Sequence, residues 1–501
     1  MSFLKRSAFA VLSAGCLSSA SGGLTEQQTL DSNALDSLQA SCDAISSLVS
    51  HASAVYYPSS PEYPKAIYHW SATNSINASC VIEPGTPQDV AIALQTLAFF
   101  KTPFAVKGGG HSCNPGFSST KGVHIYMTRL NQVTVNKAEG TVDVGAGSIW
   151  SDVYAALEPH GIMLVGGRVP GPGVGGFILG GGLSWKSSQF GLAIDTLVSF
   201  ELVLPDGTIR QVTSADDDLW FALKGGFNNF GIVTRFTLLS HPQTDIWAGL
   251  LLISADHYDA FRAAVVKYET DVKDTKAAIA PTFIVPSGST TPMLAAVLFY
   301  DGPSPPSGIF DAFLAIPTVQ GGVQAQSFLS FVKSLGSSVA APPGHRNYYT
   351  GIPVLSYPSA LIDVIYNETT FWAEHFAALD PTFSVTNAME PFDSGLFSHG
   401  GPSAYPPDRS RALYPTNFAW AWTNASLDDA IHTALLESTK TVVAAAIALG
   451  QDLSNAATYA NYALFGVPVE NIYGDHLPRL QEIKKKYDPF GVMNLTGGFK
   501  F

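Results

Sequence analysis

Chemistry in this chain is concentrated first at Val106-Lys107-Gly108-Gly109-Gly110-His111, where a β-like run, Phe104 to Val106, breaks into a loop. Glycines lack a Cβ, so three in a row let their amides curl into a concave nest and approach a large anionic ligand closely. The imidazole that follows at once would touch whatever those amides hold. Taken alone, the stretch fits a tight turn with a hydrogen-bonded core histidine equally well. A second glycine-rich stretch, Gly166 to Gly182, shifts the balance toward a ligand. It contains a formal G-x-G-x-x-G at Gly171, Gly173 and Gly176, with Asp195 near the distance expected of a ribose-binding acid. The dinucleotide fingerprint must open a helix, and Gly180-Gly181-Gly182 is a poor helix interior. The stretch is therefore read as extended chain whose amides line a long ligand.

These loops need elements to hold them. Leu35, Leu38, Cys42, Ile45 and Leu48 recur at spacings of three and four, which predicts an amphipathic helix starting near Asp31 to Asn33, with Tyr56 to Pro61 as the loop after it. Cys80-Val81-Ile82 reads as a strand, Thr86 and Pro87 as N-cap and first helical residue, and Pro87 to Phe100 as a helix feeding the strand at Phe104. This unit delivers the Gly108 loop at a strand's C-terminal end, where α/β folds place ligands. Val123 to Tyr126, Val133 to Val135 and Thr141 to Val144 follow as strands, Ser151 to His160 as a helix, and Asp195 to Thr213 as a hairpin about Pro205-Asp206-Gly207. Ser214 to Leu223 is a capped helix before the strand Gly231 to Phe236.

The chain has 501 residues, 46% hydrophobic and 13% charged, with a net charge of -13. That is a globular composition with room for two or three domains, and its acidity argues against nucleic-acid or membrane-surface partners. Lys5 and Arg6 before an apolar run, Ala8 to Leu17, then small residues to Ser21, predict a secretory signal over residues 1–20 with cleavage near Ala20. Sequons at Asn77, Asn367, Asn424 and Asn494 fit a secreted glycoprotein. Removal of Cys16 with the signal leaves Cys42, Cys80 and Cys113; a Cys42–Cys80 disulfide is favoured, with Cys113 a small buried filler. His111-x-Cys113 lacks a matching ligand pair elsewhere, so no metal site is assigned.

Lys107 to His111, Gly166 to Gly182, Leu223-Lys224-Gly225-Gly226-Phe227-Asn228-Asn229-Phe230-Gly231-Ile232-Val233-Thr234 and Tyr487-Asp488-Pro489 occur in the order seen in the berberine-bridge-enzyme-like branch of the vanillyl-alcohol-oxidase flavoproteins, which the chain resembles over almost its entire mature length. The resemblance implies an α+β fold: a two-subdomain PCMH-type FAD-binding domain over residues 61–241 behind a leader helix in 21–60, a substrate domain over 242–455 with an antiparallel sheet backed by helices, and a return to the first domain over 456–501. It implies FAD as cofactor, joined through His111, with Lys107, Gly108, Gly109, Gly110, Ser112, Val174, Gly175, Gly176, Gly180, Gly181, Gly182, Ile232 and Val233 in the cofactor cradle. Many members attach flavin a second time through a cysteine; the matching position is Val169, so a single link is expected. Pro172 stands where the family carries an aliphatic residue thought to gate oxygen.

Tyr459-Ala460-Asn461-Tyr462 matches the family's Tyr-x-Asn-Tyr segment, whose tyrosine is commonly the base. A phenol ordinarily loses its proton near pH ~10, so it needs a neighbouring cation or hydrogen bonds. On a regular strand both rings cannot face the flavin, and Tyr462 is favoured over Tyr459. Glu390, in Met389-Glu390-Pro391-Phe392, is a weaker candidate base, expected in an exposed loop; His399-Gly400-Gly401 reads as a turn, and Lys484 to Lys486 as a solvated face. The expected activity is oxidation of a small organic metabolite (alcohol, phenol or amine) by hydride transfer to flavin N5, with oxygen or another electron acceptor as partner and the protein a monomer. An oligosaccharide oxidised at its anomeric hydroxyl and a catalytically silent flavin-fold binding protein are the competing readings.

Overall fold

The structure is a computed structural model that describes residues 24–336, 344–393, 395–411 and 413–501. The expected signal over residues 1–20 lies outside the described residues. Among those described, no helix is long and apolar enough to cross a membrane.

The leading helix runs Leu24–Leu48, beginning earlier than the spacing predicted, because nothing between Leu24 and Asp31 breaks it: no proline or glycine interrupts the segment. Its buried Cys42 is joined to Cys80, as expected. The segment read as plain loop also differs. Ala54–Tyr56 pairs antiparallel with Cys80–Glu83 as an edge strand, and a short helix Tyr63–Ile67 follows.

Among the described residues three large sheets and a two-stranded ribbon, Ile162–Met163 with His241–Pro242, carry the rest. A four-stranded sheet runs in the order Ala54–Tyr56, Cys80–Glu83, Val123–Tyr126, Phe104–Lys107, and its last three strands are mutually parallel. The crossover between Cys80–Glu83 and Phe104–Lys107 is the helix Pro87–Phe100, whose N-cap Thr86 accepts from the Asp89 amide. Asp89 in turn accepts from the Ser50 amide and hydroxyl, which ties the end of the leading helix to the start of this one. A five-stranded antiparallel sheet follows: Val133–Asn136, Thr141–Gly145, Ile232–Leu239, Leu197–Val203, Ile209–Val212.

The seven-stranded sheet is antiparallel throughout, in the order Thr318–Gln326, Ile246–Ser254, Met293–Tyr300, Ala277–Val285, Ser384–Ala388, Tyr414–Trp422, Arg346–Val354. The helices Tyr258–Asp271, Ser359–Ala377 and Asp428–Ala448 cover one of its faces and bury Phe261, Ile365 and Leu435 against Phe283, Leu298 and Trp420. Residues alternate across a strand. The other face therefore presents Ala280, Thr282 and Ile284, then Ser384, Thr386 and Ala388, then Asn417, Ala419 and Ala421, all lining one cavity.

The final segment packs back on the first two sheets. Asn229 donates to the Phe499 carbonyl and Phe104 bridges to Thr496. Here the reading of three solvated lysines fails for Lys484, which is buried with its amine on Asn494 Oδ1, 2.6 Å away; only Lys485 and Lys486 face solvent. Helical periodicity explains the split: Leu480, Ile483 and Lys484 share the face that packs inward.

Candidate active site

A cavity of about 770 Å³ opens between the glycine loops and the free face of the seven-stranded sheet. It lies near the upper end of volumes typical of ligand pockets. The first loop leaves the C-terminal end of Phe104–Lys107 and places Gly108, Gly109, Gly110, His111 and Ser112 on the wall. The second brings Gly173, Gly175 and Gly176, and Ile232 and Val233 line the wall from the five-stranded sheet.

The two loops meet backbone to backbone. A Cβ built on Gly173 would stand 2.1 Å from the Gly109 amide nitrogen, and one on Gly109 2.5 Å from that of Gly173, so no side chain fits at either position. Gly176 is the contrast, with nothing of the protein within 4 Å of where its Cβ would be. Among the described residues the amides of Gly109, Gly110, Gly175 and Gly176 find no acceptor in the chain, which leaves them for a ligand.

Five expected cradle residues do not line the cavity. The Lys107 amine is buried on the carbonyls of Ala66 and Tyr68, and stands 3.7 Å from the Tyr126 ring centre; burial pulls its pKa down to about 7. Val174 is a core residue. Gly180, Gly181 and Gly182 serve close packing: a Cβ on Gly180 would meet Asn461 Oδ1 at 2.2 Å, and Gly181 and Gly182 adopt φ of +112° and +83°. Nor is the second stretch extended throughout. Val174–Leu179 forms a short helix that those left-handed glycines end, since its two glycines sit in the first turn, where amides lack intrahelical partners in any case. The rejection of a dinucleotide fingerprint still holds, because this loop follows Ile162–Met163 of a two-stranded antiparallel ribbon and not a parallel strand. Asp195 is paired with Arg409 at 2.8 Å and accepts from the Leu192 amide.

His111 is held by shape. Its ring stacks on Trp70 at 4.5 Å between centroids and 7° from parallel, while the Trp70 amide donates to the Gly110 carbonyl. Burial pushes the imidazole down to about 4, so at neutral pH it is uncharged and carries a nucleophilic lone pair. Cys113, beside it, is buried and its thiol is pushed up to about 12, also by burial.

Across the cavity Tyr462 closes a 3₁₀ turn, Ala460–Tyr462, and Tyr459 is the extended residue that caps its start, so the pair does not sit on a regular strand. The irregular backbone brings both onto the wall, their rings edge to face at 4.9 Å. Tyr459 Oη accepts from the Leu183 amide at 2.9 Å and from Asn461 at 3.1 Å. Tyr462 donates to Glu390 Oε1 at 3.0 Å and accepts from Arg168 Nη2. Arg168 Nη2 also pairs with Glu390 Oε1 at 2.7 Å. Glu390 is only 3% exposed, which corrects the expectation of an exposed loop carboxylate. Met389, Pro391 and Phe392 around it carry it inward; a lone charge among apolar neighbours was the available signal.

Burial raises the Glu390 pKa and Arg168 opposes that rise; burial also drives Tyr462 well above 10.0, with Arg168 again opposing. Arg168, Trp70 and Trp185 are members of the site to which the sequence alone assigned no role. Arg168 lies over the rings of Trp185 and Phe392, at 5.4 and 5.7 Å.

Fold and site together define an FAD-binding protein of the two-subdomain type with a separate substrate sheet. Residues 78–213 match the model of the FAD binding domain and residues 458–496 that of berberine and berberine like proteins. An FAD-dependent monooxygenase of Arthrobotrys oligospora is 30% identical over 84% of this chain and 81% of its own length. In matches to two further curated relatives, the chain spans only 53% and 44% of their lengths. Among solved structures, BBE-like 1 of Physcomitrella patens superposes with a TM-score of 0.74 at 21% identity, covering 91% of this chain and 97% of that one. Glucooligosaccharide oxidase from Acremonium strictum, described as carrying 6-S-cysteinyl, 8α-N1-histidyl FAD, superposes with a TM-score of 0.73 at 17% identity over 91% and 97%. The chain belongs to the berberine-bridge-enzyme-like family of FAD-linked oxidoreductases.

The residues present fit FAD. Free amides on two abutting loops suit a pyrophosphate, Gly176 leaves open the space a Cβ would fill, and a neutral imidazole stands at the rim.

Proposed function

We propose that the protein oxidises a small organic metabolite bearing an alcohol, phenol or amine, using FAD attached covalently through His111. The observation that carries this reading is the Tyr462–Glu390–Arg168 cluster on the same cavity as His111. Bound flavin would supply at N5 the acceptor for the hydride that leaves a C–H adjacent to, or conjugated with, the deprotonated oxygen or nitrogen, and its electrons would then go to oxygen, giving hydrogen peroxide, or to another acceptor.

The chain's own residues handle the proton. A free Tyr462 phenolate is costly in this buried place, so the phenol takes the substrate proton as its own passes to Glu390 Oε1, 3.0 Å away. Glu390 is anionic against Arg168, and burial makes it a stronger base than an ordinary carboxylate. Tyr459, whose oxygen already accepts two N–H groups, orients the turn.

Val169 on the cavity wall offers no sulfur, so the link through His111 is single; Pro172 lines the same wall at the position tied to oxygen access. Small residues of the sheet, Ala280, Val297, Ala388, Ala419 and Ala421, leave width for a flat ring, and Thr282, Ser384, Thr386 and Asn417 on the same face add uncharged hydrogen-bonding groups, so the small metabolite is preferred to an oligosaccharide on width and not on polarity. The Cys42–Cys80 disulfide supports export, and all four sequon asparagines are exposed.

Precipitation of the purified protein in acid should leave yellow colour in the pellet, and His111→Ala should release it. Peroxide formation on aryl alcohols and phenols, set against cello- and xylo-oligosaccharides, separates the substrate classes. A colourless protein refutes the oxidoreductase reading, and turnover confined to the sugars refutes the metabolite.

A further inference from the structure

The proton-handling cluster is not saturated. Arg168 Nη2 serves both Glu390 Oε1 and Tyr462 Oη, yet among the described residues Nε and Nη1 of the same guanidinium have no partner. The side chain is 15% exposed and lines the cavity. On the carboxylate, Glu390 Oε2 is buried with no hydrogen-bond partner, although Oε1 beside it accepts twice. Glu390 Oε2 is closed off from the cavity, whereas the free Arg168 N–H groups are not sealed in and stand where a ligand oxygen can satisfy them. The guanidinium carbon lies 5.4 and 5.7 Å from the ring centres of Trp185 and Phe392, and these contacts limit its movement.

We infer that Arg168 is a specificity-determining residue that takes a carbonyl or carboxylate oxygen of the substrate, and that the reacting hydroxyl stands next to that oxygen on the same molecule. The substrate class is then a flat, largely apolar ring system carrying a hydroxyl flanked by a carbonyl or carboxylate. A hydroxyl alone would meet Tyr462 and Glu390 and leave the guanidinium edge without a partner. A lone carbonyl would do the reverse. Small side chains opposite, Ala280, Ala388, Ala419 and Ala421, leave width for rings and offer no further charge. The inference rests on the oxidation proposed above only for which hydroxyl reacts; the binding preference itself requires no turnover.

Calorimetric titration of the purified flavin-loaded protein with 2-hydroxyacetophenone, salicylate, phenol and acetophenone tests it. The two probes with adjacent oxygens should bind about tenfold or more tighter than phenol or acetophenone, the range of a charge-assisted hydrogen bond. Arg168→Gln should bring all four within about threefold of one another, and Arg168→Lys should keep part of the preference. Acid-stable flavin, measured on each variant, reports the cofactor reading separately. Should Arg168→Gln leave Glu390 unpaired and fail to fold, the neutral double variant Arg168→Gln/Glu390→Gln gives the same readout. Wild-type protein that binds the four equally or not at all, or a variant lacking the guanidinium that keeps the preference, overturns the inference.

Discussion

Trp70 and His111 lie face to face, 4.5 Å apart and 7° from parallel, so an indole from the loop before the first parallel strand sets the plane of the imidazole that faces the cavity. Stacked aromatic pairs contribute roughly 0.5–1.5 kcal/mol beyond their buried area. Trp70→Ala should therefore slow covalent attachment of added FAD to apoprotein by about three- to tenfold, and Trp70→Phe should restore most of the rate. Equal rates in all three proteins would show that the stack does not orient His111.

Tyr462→Phe and Glu390→Gln should each lower kcat by about 10²- to 10⁴-fold, the range of a lost general base, while Tyr459→Phe costs less than about tenfold. Because burial raises the Glu390 pKa, the acid limb of kcat/KM should fall at a pH above the ordinary carboxylate range. That limb should vanish in Glu390→Gln. A larger loss in Tyr459→Phe than in Tyr462→Phe would reverse the assignment of roles.

Gly176→Ala should separate folding from cofactor binding. An added methyl meets no protein atom within 4 Å, and alanine is the better helix former, so the urea midpoint should hold or rise slightly. Flavin content should drop, since the methyl projects into the cradle. Gly173→Ala, which would press on the Gly109 amide, should lower both.

His124 is fully buried, accepts from the Thr120 amide through Nε2, and has no partner for Nδ1. Burial, helped by His69 and Lys107, pushes its pKa from 6.5 down to about 3. The folded state thus binds its proton later than the unfolded chain: the stability this represents is complete above pH 6.5 and is lost as pH falls toward 3. The loss should be of order 3–5 kcal/mol by urea unfolding across that window. His124→Gln should flatten the slope there; an unchanged slope would place the acid sensitivity elsewhere.

The Cys42–Cys80 bridge closes a segment of 38 residues' separation. Chain entropy alone puts its contribution near 4 kcal/mol. Cys42→Ala should lower unfolding free energy by about 2–4 kcal/mol without changing the absorbance spectrum of bound flavin, because the bridge lies away from the cavity wall.

Local pattern was enough for much of this protein. Helix Pro87–Phe100 and the hairpin after Asp195 follow from capping residues and alternation, short-range properties of the chain, while the disulfide came from elimination among three cysteines and the shared cavity of the two glycine loops from a ligand common to both. Tertiary structure decided what depends on distant partners. Lys107 reads like a ligand-loop cation, yet its amine is consumed by carbonyls of Ala66 and Tyr68. Glu390 reads like a surface carboxylate until Arg168 and Tyr462, 222 and 72 residues away along the chain, close around it. Whether a charged side chain is solvated, structural or chemical depends on which groups share its low-dielectric surroundings, and only the packed sheets bring those groups together.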